Sequence, residues 1–350
     1  MKFFHLINVR WYNGTAWYAL NLAKMLEREG HEAIVGILPE TETARYARKK
    51  NLRFIEGDFT AKNPIALINA AIRLNKFINE FQPDHITAHR GELFWFLALK
   101  RLLGGKFKLS RVRGDQRPPK ANFINKFLHN FCADTIITSG AWIKDIFTRD
   151  LGTDPNKIFV IYGGVDTEFF KFNAAGREKV RAEFGVAQDE TAIGIVGRYS
   201  EVKGHKSLID ALELLLAEGG RYKLLCVTDS ADLDIRELRE YIAAKNLTDR
   251  AFITGFRLDI AECISAFDVA VVASLGSEAI CRAAFEILSC GRKLVVTTAG
   301  TLPEIAPSEN VAIAGVAESL AEKIKSCVPC DRVFSEQDFA RQYLAAIGAN

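Results

Sequence analysis

The chain has no run of 18 or more uncharged apolar residues, so nothing in it reads as a helix that crosses a bilayer. Its opening residues, 1–9, are too short an apolar stretch and lack the small-residue cleavage site of a signal peptide, so the expectation is a cytoplasmic enzyme. Seven cysteines, an odd number without framework spacing, exclude a disulfide scaffold and fit free thiols in a reducing compartment. Cys327 and Cys330 form a lone CxxC, without the second pair or histidine cluster of a zinc site and without the strand-to-helix setting of a redox motif. Asp232-Leu233-Asp234 resembles a metal-binding DxD but opens an expected surface helix instead of ending a strand, and Arg113-Gly114-Asp115 spells an adhesion tripeptide that means nothing in a cytosolic protein. No metal is expected.

What is present is ordinary globular material. At 350 residues, 49% of them hydrophobic and 25% charged, the chain exceeds the usual size of one core and suits two domains of about 150 residues each. The net charge of +3 hides an asymmetry, because residues 1–170 hold 25 Lys and Arg against 17 Asp and Glu while the remainder is acidic. Basic density peaks over 100–120, where Lys100, Arg101, Lys106, Lys108, Arg111, Arg113, Arg117 and Lys120 face only Asp115. Such a stretch is either a solvated basic surface or a patch that attracts anionic lipid or a phosphorylated acceptor. It lacks the interleaved stacking aromatics of a nucleic-acid-binding module, so nucleic acid is not an expected partner.

Short apolar runs alternate with helical-period segments throughout, the signature of βαβ units and parallel sheets. In the first half strands are expected at 3–9, 32–38, 53–55, 85–88, 108–112, 135–138 and 158–161, with helices such as 16–29, 65–81 and 94–103 between them. A second series runs 192–196, 223–227, 251–254, 269–272, 293–297 and 311–314. The fold class is therefore α/β, two doubly wound Rossmann-like domains facing across a cleft: residues 1–165, joined by a C-terminal helix within 336–350, and residues 166–335. Gly163-Gly164 would form the hinge, followed by a helix at 177–184. Ligands on open parallel sheets bind beyond the carboxyl ends of the strands, so function is sought in residues just after them.

The strand at 192–196 ends in Gly197-Arg198-Tyr199-Ser200-Glu201-Val202-Lys203-Gly204. A glycine that admits phosphate closely, a guanidinium fork and a lysine before a helix make a plausible diphosphate clamp, though not a P-loop, since the lysine precedes its glycine. Glu278 and Glu286, eight residues apart, bracket an alanine-rich segment. On one helix they would stand roughly 12 Å apart, too far for a hydrolytic acid/base pair and suited to two grips on one long ligand with a charged middle. After the first strand, Gly14 sits in an aromatic loop with Trp11, Tyr12, Trp17 and Tyr18, which either stacks on a sugar ring or is core. His89 ends the strand 85–88 and is either structural or catalytic. His5 reads as a satisfied core residue and His31 as a helix cap.

Together these elements resemble the GT-B glycosyltransferases, specifically retaining family 4, which includes lipopolysaccharide-core glycosyltransferases. The resemblance spans nearly the whole chain and rests on the Gly14 loop, His89, Gly197-Arg198 with Lys203-Gly204, the E-x7-E pair, and Ala299-Gly300-Thr301-Leu302-Pro303-Glu304-Ile305, which is similar to the family's G-G-x-P-E-I turn.

It implies a retaining transferase that moves a hexose from a nucleotide sugar, UDP-linked by expectation, to a glycan or glycolipid acceptor in lipopolysaccharide-core or cell-envelope synthesis, without a cofactor or metal. The implied roles put Glu286 on the ribose, Glu278 on the transferred sugar, Arg198 and Lys203 (after Gly197) on the diphosphate, Gly14 against the diphosphate, His89 on the donor sugar, and the amides near Gly300, Thr301 and Leu302 on sugar or phosphate. The departing phosphate would take the acceptor's proton. Two departures, Glu278-Ala279-Ile280 where Glu-Gly-Phe is usual and one N-terminal glycine where two are common, bear on which donor is taken. The basic 100–120 region would meet acceptor or the inner face of an anionic membrane. Alternatives are a GT-B epimerase or phosphorylase, or a non-catalytic nucleotide-sugar binder.

Overall fold

The computed structural model describes residues 1–60, 63–115, 117–228, 232–276 and 278–349, and side chains at 232–234 lie outside the described residues, as does Ser277 in the glutamate run. The chain divides into two units, residues 1–164 with 336–350, and residues 165–335.

The first unit carries seven parallel strands: β1 (Lys2–Ile7), β2 (Glu32–Ile37), β3 (Arg53–Glu56), β4 (His85–Ala88), β5 (Lys108–Arg113), β6 (Thr135–Thr138) and β7 (Ile158–Val160), in the order β3-β2-β1-β4-β5-β6-β7. Chain order reverses between β1 and β4, the switch point where crossovers leave to opposite faces and open a crevice. The strand interiors are almost wholly buried, as two-sided parallel sheets require. Asn13 starts the helix Gly14–Arg28 by accepting the Ala16 N–H at 3.1 Å. That helix ends in a Schellman turn, with the His31 N–H on the Leu26 carbonyl (2.9 Å) and Gly30 at φ +81°. His31 thus caps with its backbone, while its ring packs edge-on against Phe3. The helix Glu336–Ala346 belongs to this unit: Tyr343 shares a 2.6 Å hydrogen bond with Thr87, and Phe339 lies edge-on to Tyr18. Gly163, at φ +102°, leaves room where a Cβ would come within 3.3 Å of the Trp17 and Tyr18 rings.

The second unit repeats the plan with six parallel strands: β8 (Thr191–Val196), β9 (Tyr222–Val227), β10 (Ala251–Ile253), β11 (Val269–Val272), β12 (Lys293–Thr297) and β13 (Val311–Ala312), ordered β10-β9-β8-β11-β12-β13. Its switch point lies between β8 and β11. Ile193, Leu208, Leu212, Val271, Val295 and Leu320 are among the fully buried side chains of its core. All thirteen strands coincide with the apolar runs of the sequence to within two residues at either end.

Candidate functional site

In the second unit the first βα turn, which follows β8, packs against the end of β11. Gly197 leaves β8 at φ +142°, a short 3-10 turn spans Glu201–Lys203, and Gly204, at φ +70°, starts the helix His205–Ala217. A Cβ on Gly204 would lie 1.9 Å from the Ala273 carbonyl oxygen, so only glycine lets this turn press onto the end of β11. The Leu275 N–H, donating to the Val202 carbonyl at 2.8 Å, ties the two loops together.

This contact places the Lys203 ammonium on the Glu278 carboxylate in a short ion pair. Glu278 is 2% exposed and its Oε1 also accepts from Ser274 Oγ at 2.6 Å. Burial works against the charge on Lys203, but the Glu278 carboxylate outweighs it and raises the lysine pKa above its ordinary value. Arg198 is exposed and has no ion pair among the described residues.

Glu278 does not share a helix with Glu286. The helix is Arg282–Ser289, so Glu278 lies in the loop before it and Glu286 in its middle. The helical rise therefore does not set their separation, and Glu278 pairs with Lys203 ahead of the helix. Glu286 is buried, its pKa is pushed up by burial against the pull of Arg282, and it accepts from Arg282 Nε at 2.5 Å.

The turn at Gly300 is bonded to the glutamate segment. The Thr301 N–H donates to the Glu278 carbonyl at 2.9 Å and the Leu302 N–H to Ala299 at 3.2 Å, so both amides are spent inside the protein. Thr301 Oγ1 adds a second bond to the Glu278 carbonyl at 3.2 Å. Thr301 holds the main chain of Glu278, while the Gly300 N–H, at φ +58°, has no partner among the described residues. Thr297 Oγ1 donates to the Ser274 carbonyl at 2.5 Å. Ser274 and Thr297 were not singled out from sequence; their signal is a hydroxyl at the carboxyl end of a strand next to the glutamate loop.

In the first unit Gly14 opens its helix, and the Gly14 and Thr15 amides have no hydrogen-bond acceptor among the described residues. The aromatics of this segment separate. Trp17 and Tyr18 are buried, with Tyr18 donating to the Ile161 carbonyl at 3.0 Å, and are core; Tyr12 stacks on Tyr46 at 3.6 Å; Trp11 alone is widely exposed, at 69%. His89 is buried at the end of β4, its Nε2 3.1 Å from Nδ1 of His5. Burial, then the neighbouring His5 and Arg111, hold its pKa well below the ordinary value, so it is neutral near pH 7. His5 is buried but not fully satisfied: among the described residues its Nε2 has no partner, and neither has Nδ1 of His89.

The basic 100–120 region is not one patch. Lys100 and Lys106 precede β5 and Arg113, Arg117 and Lys120 end or follow it, about 20 Å along the strand. Lys100 is held by Asn75 and Asn79, Arg101 by Asp134, Lys108 by the Ile347 carbonyl, and Arg117 by Asp115. Among the described residues no helix is long and apolar enough to cross a membrane, and no group of three His, Cys, Asp or Glu could hold a metal ion. Cys327 and Cys330 are free thiols.

Residues 12–169 match the family described as Glycosyltransferase Family 4, and residues 190–328 match Glycosyl transferases group 1. A D-inositol 3-phosphate glycosyltransferase of Geodermatophilus obscurus is 27% identical over 198 residues, 54% of this chain and 43% of that protein, so the chain spans less than half the length of that relative. Among solved structures, the Anabaena protein Alr3699/HepE in complex with UDP and glucose aligns over 100% of both chains with a TM-score of 0.79 at 20% identity. The lipopolysaccharide outer core galactosyltransferase WaaB aligns over 100% of this chain and 99% of its own with a TM-score of 0.76 at 13% identity. Two Rossmann-like parallel sheets with these neighbours are the GT-B fold, and the chain belongs to the glycosyltransferases, a Family 4 domain followed by a group 1 domain.

Proposed function

We propose that the protein is a retaining glycosyltransferase that moves a hexose from a UDP-linked sugar to a glycan or glycolipid acceptor of the cell envelope, such as lipopolysaccharide core, at the inner face of the membrane. The observation that carries this reading is the Lys203–Glu278 pair at the β8/β11 switch point with Arg198 exposed beside it in sequence. A diphosphate arriving here meets Arg198 and takes over Lys203, and the freed Glu278 carboxylate accepts hydroxyls of the sugar. The cations act on charge that grows on the leaving phosphate, which is where electrostatic stabilisation accelerates transfer. Neutralisation falls to these side chains, so the reading includes no metal or cofactor. Glu286 takes the ribose hydroxyls in exchange for Arg282, and the unclaimed amides of Gly300 and Gly14 suit phosphate or sugar oxygens. His89, neutral and a hydrogen-bonding group without charge, contacts the transferred sugar. The leaving phosphate accepts the acceptor's proton on the same face. The UDP bound to HepE supports the choice of nucleotide.

The test is incubation with UDP-, ADP- and GDP-sugars, with and without EDTA, following nucleotide release and the anomeric configuration of the product by NMR. Turnover of a UDP-sugar that survives EDTA and keeps the anomeric configuration is expected. Binding without turnover would make the chain a nucleotide-sugar binder, and no binding of any of these donors would overturn the reading.

A further inference from the structure

Within the first unit, a cavity of about 700 Å³ opens at the carboxyl ends of β4 and β5. Its walls include Arg90, Arg111, Arg113 and Lys120, against two carboxylates, Glu92 and Asp115. The resident acids leave about two positive charges unbalanced. They are also poorly placed to help: Asp115 is engaged by Arg117 through its N–H at 3.0 Å and its guanidinium at 3.2 Å, and Arg90 reaches Glu92 only at 3.5 Å.

Arg111 is 3% exposed and rigid, because Nη1 donates to the carbonyls of Ala88 (2.9 Å) and Val112 (2.6 Å). Burial and the neighbouring Arg113 lower its pKa to about 9, the sign of a guanidinium held in a dry site beside like charge. Arg113 Nη2 is spent on the Arg117 carbonyl, but its Nε is buried without a partner among the described residues, and so is Nδ1 of His89 on the same wall. A surplus of about two positive charges on the side chains of this wall is the complement of a dianion. A phosphate monoester carries about −1.5 to −2 at neutral pH and takes forked hydrogen bonds from arginine. The volume falls within the range of small-molecule sites, about 300–1,000 Å³, and exceeds what a phosphate alone would fill.

We propose that this cavity is an acceptor subsite for a sugar-sized unit bearing a phosphate monoester, with Arg113 and Lys120 gripping the phosphate and Arg111 setting the field. The inference rests on the glycosyltransferase reading above for the word acceptor, though the binding itself does not. His89 on the cavity wall then puts the phosphorylated acceptor beside the residue assigned to the transferred sugar.

The test uses the full chain with saturating UDP and measures binding of glucose 6-phosphate, glucose and inorganic phosphate by titration calorimetry. Glucose 6-phosphate is expected to bind at least tenfold more tightly than either glucose or inorganic phosphate, without competing with UDP. Arg113→Gln should weaken it tenfold or more with UDP affinity unchanged; Lys120→Ala, at an exposed position with no fold to disturb, should weaken it several-fold. Glucose or inorganic phosphate binding equally well would overturn the proposal, as would unchanged affinity in both variants. Competition between UDP and glucose 6-phosphate would also overturn it, by making the cavity part of the donor site. If UDP itself fails to bind, the donor reading fails, while glucose 6-phosphate binding, measured without UDP, still decides the cavity.

Discussion

Gly204 lies so close to the carbonyl of Ala273 that any side chain would strike the backbone of β11's end, and this contact is what lets Lys203 reach Glu278. Gly204→Ala would meet both a positive φ and an immovable carbonyl, at a cost of at least about 2 kcal/mol. The variant is expected to show a lower thermal midpoint and to lose UDP affinity more than tenfold, read by thermal shift with and without UDP. Wild-type affinity in a folded Gly204→Ala protein would mean that the turn does not position the clamp.

The two halves of the ion pair are unequal. Lys203 is 38% exposed along its side chain and Glu278 only 3%, so removing the lysine strands a buried carboxylate, whereas removing the glutamate charge leaves a lysine that can turn to water. Lys203→Met should therefore destabilise by about 2 kcal/mol, a figure reduced for the lysine's exposure, and more than Glu278→Gln. Both should lower kcat by a hundredfold or more. Equal stabilities in urea unfolding would contradict the asymmetry.

On the function proposed above Glu286 accepts both ribose hydroxyls as a carboxylate, yet burial raises its pKa. UDP affinity should fall on acidification at a higher pH than an ordinary carboxylate would dictate, and Glu286→Gln should be weaker throughout and lose that pH dependence. A titration of UDP affinity from pH 4.5 to 8 in both proteins checks it. Identical pH profiles would place the titrating group elsewhere.

Five histidines are buried in neutral form. Burial pushes His5 and His85 down to about 3, His129 and His205 down to about 4, and His89 well below its ordinary value. Their folded pKa values lie below the unfolded value of about 6.5, so the unfolded chain takes up protons first. Stability is full above about pH 6.5 and falls as the pH drops toward 4, by up to about 1.4 kcal/mol per pH unit for each histidine. Four of the five lie in the first unit, so the protection of amides in β1, β4 and β5, taken relative to the intrinsic exchange rate at each pH, should fall between pH 7 and pH 5 ahead of that in the second unit's sheet. A flat stability profile over that range would rule out this linkage.

Much of the architecture is legible in residue order because parallel strands buried on both faces appear as unbroken apolar runs. The Val269–Val272 strand and the Ile and Val residues of β8 have no amphipathic reading that competes. Arg198, Lys203, Glu278 and His89 stand within a few residues after strands, and strand ends are where such folds bind ligands. Less legible were pairings across elements. Thr301 and Leu302 look free to meet a ligand, but their amides are taken by Glu278 and Ala299, since a buried N–H must find an acceptor wherever one is near. The eight cations of 100–120 look like one patch because they are close in sequence, and β5 carries them to opposite ends of a sheet.

Periodicity, glycine placement and the order of short motifs determined that this chain builds two doubly wound α/β units with charged groups at their switch points, because local backbone preference and burial act along the chain. Tertiary structure alone decided that Glu278 rests on Lys203 and Ser274 before any ligand arrives, that Thr301 braces it, and that Arg111, Arg113 and Lys120 converge on a cavity short of negative charge. Those contacts join residues far apart in sequence, and their energies depend on desolvation and on which acceptors remain unclaimed, quantities that exist only once the strands have been laid side by side.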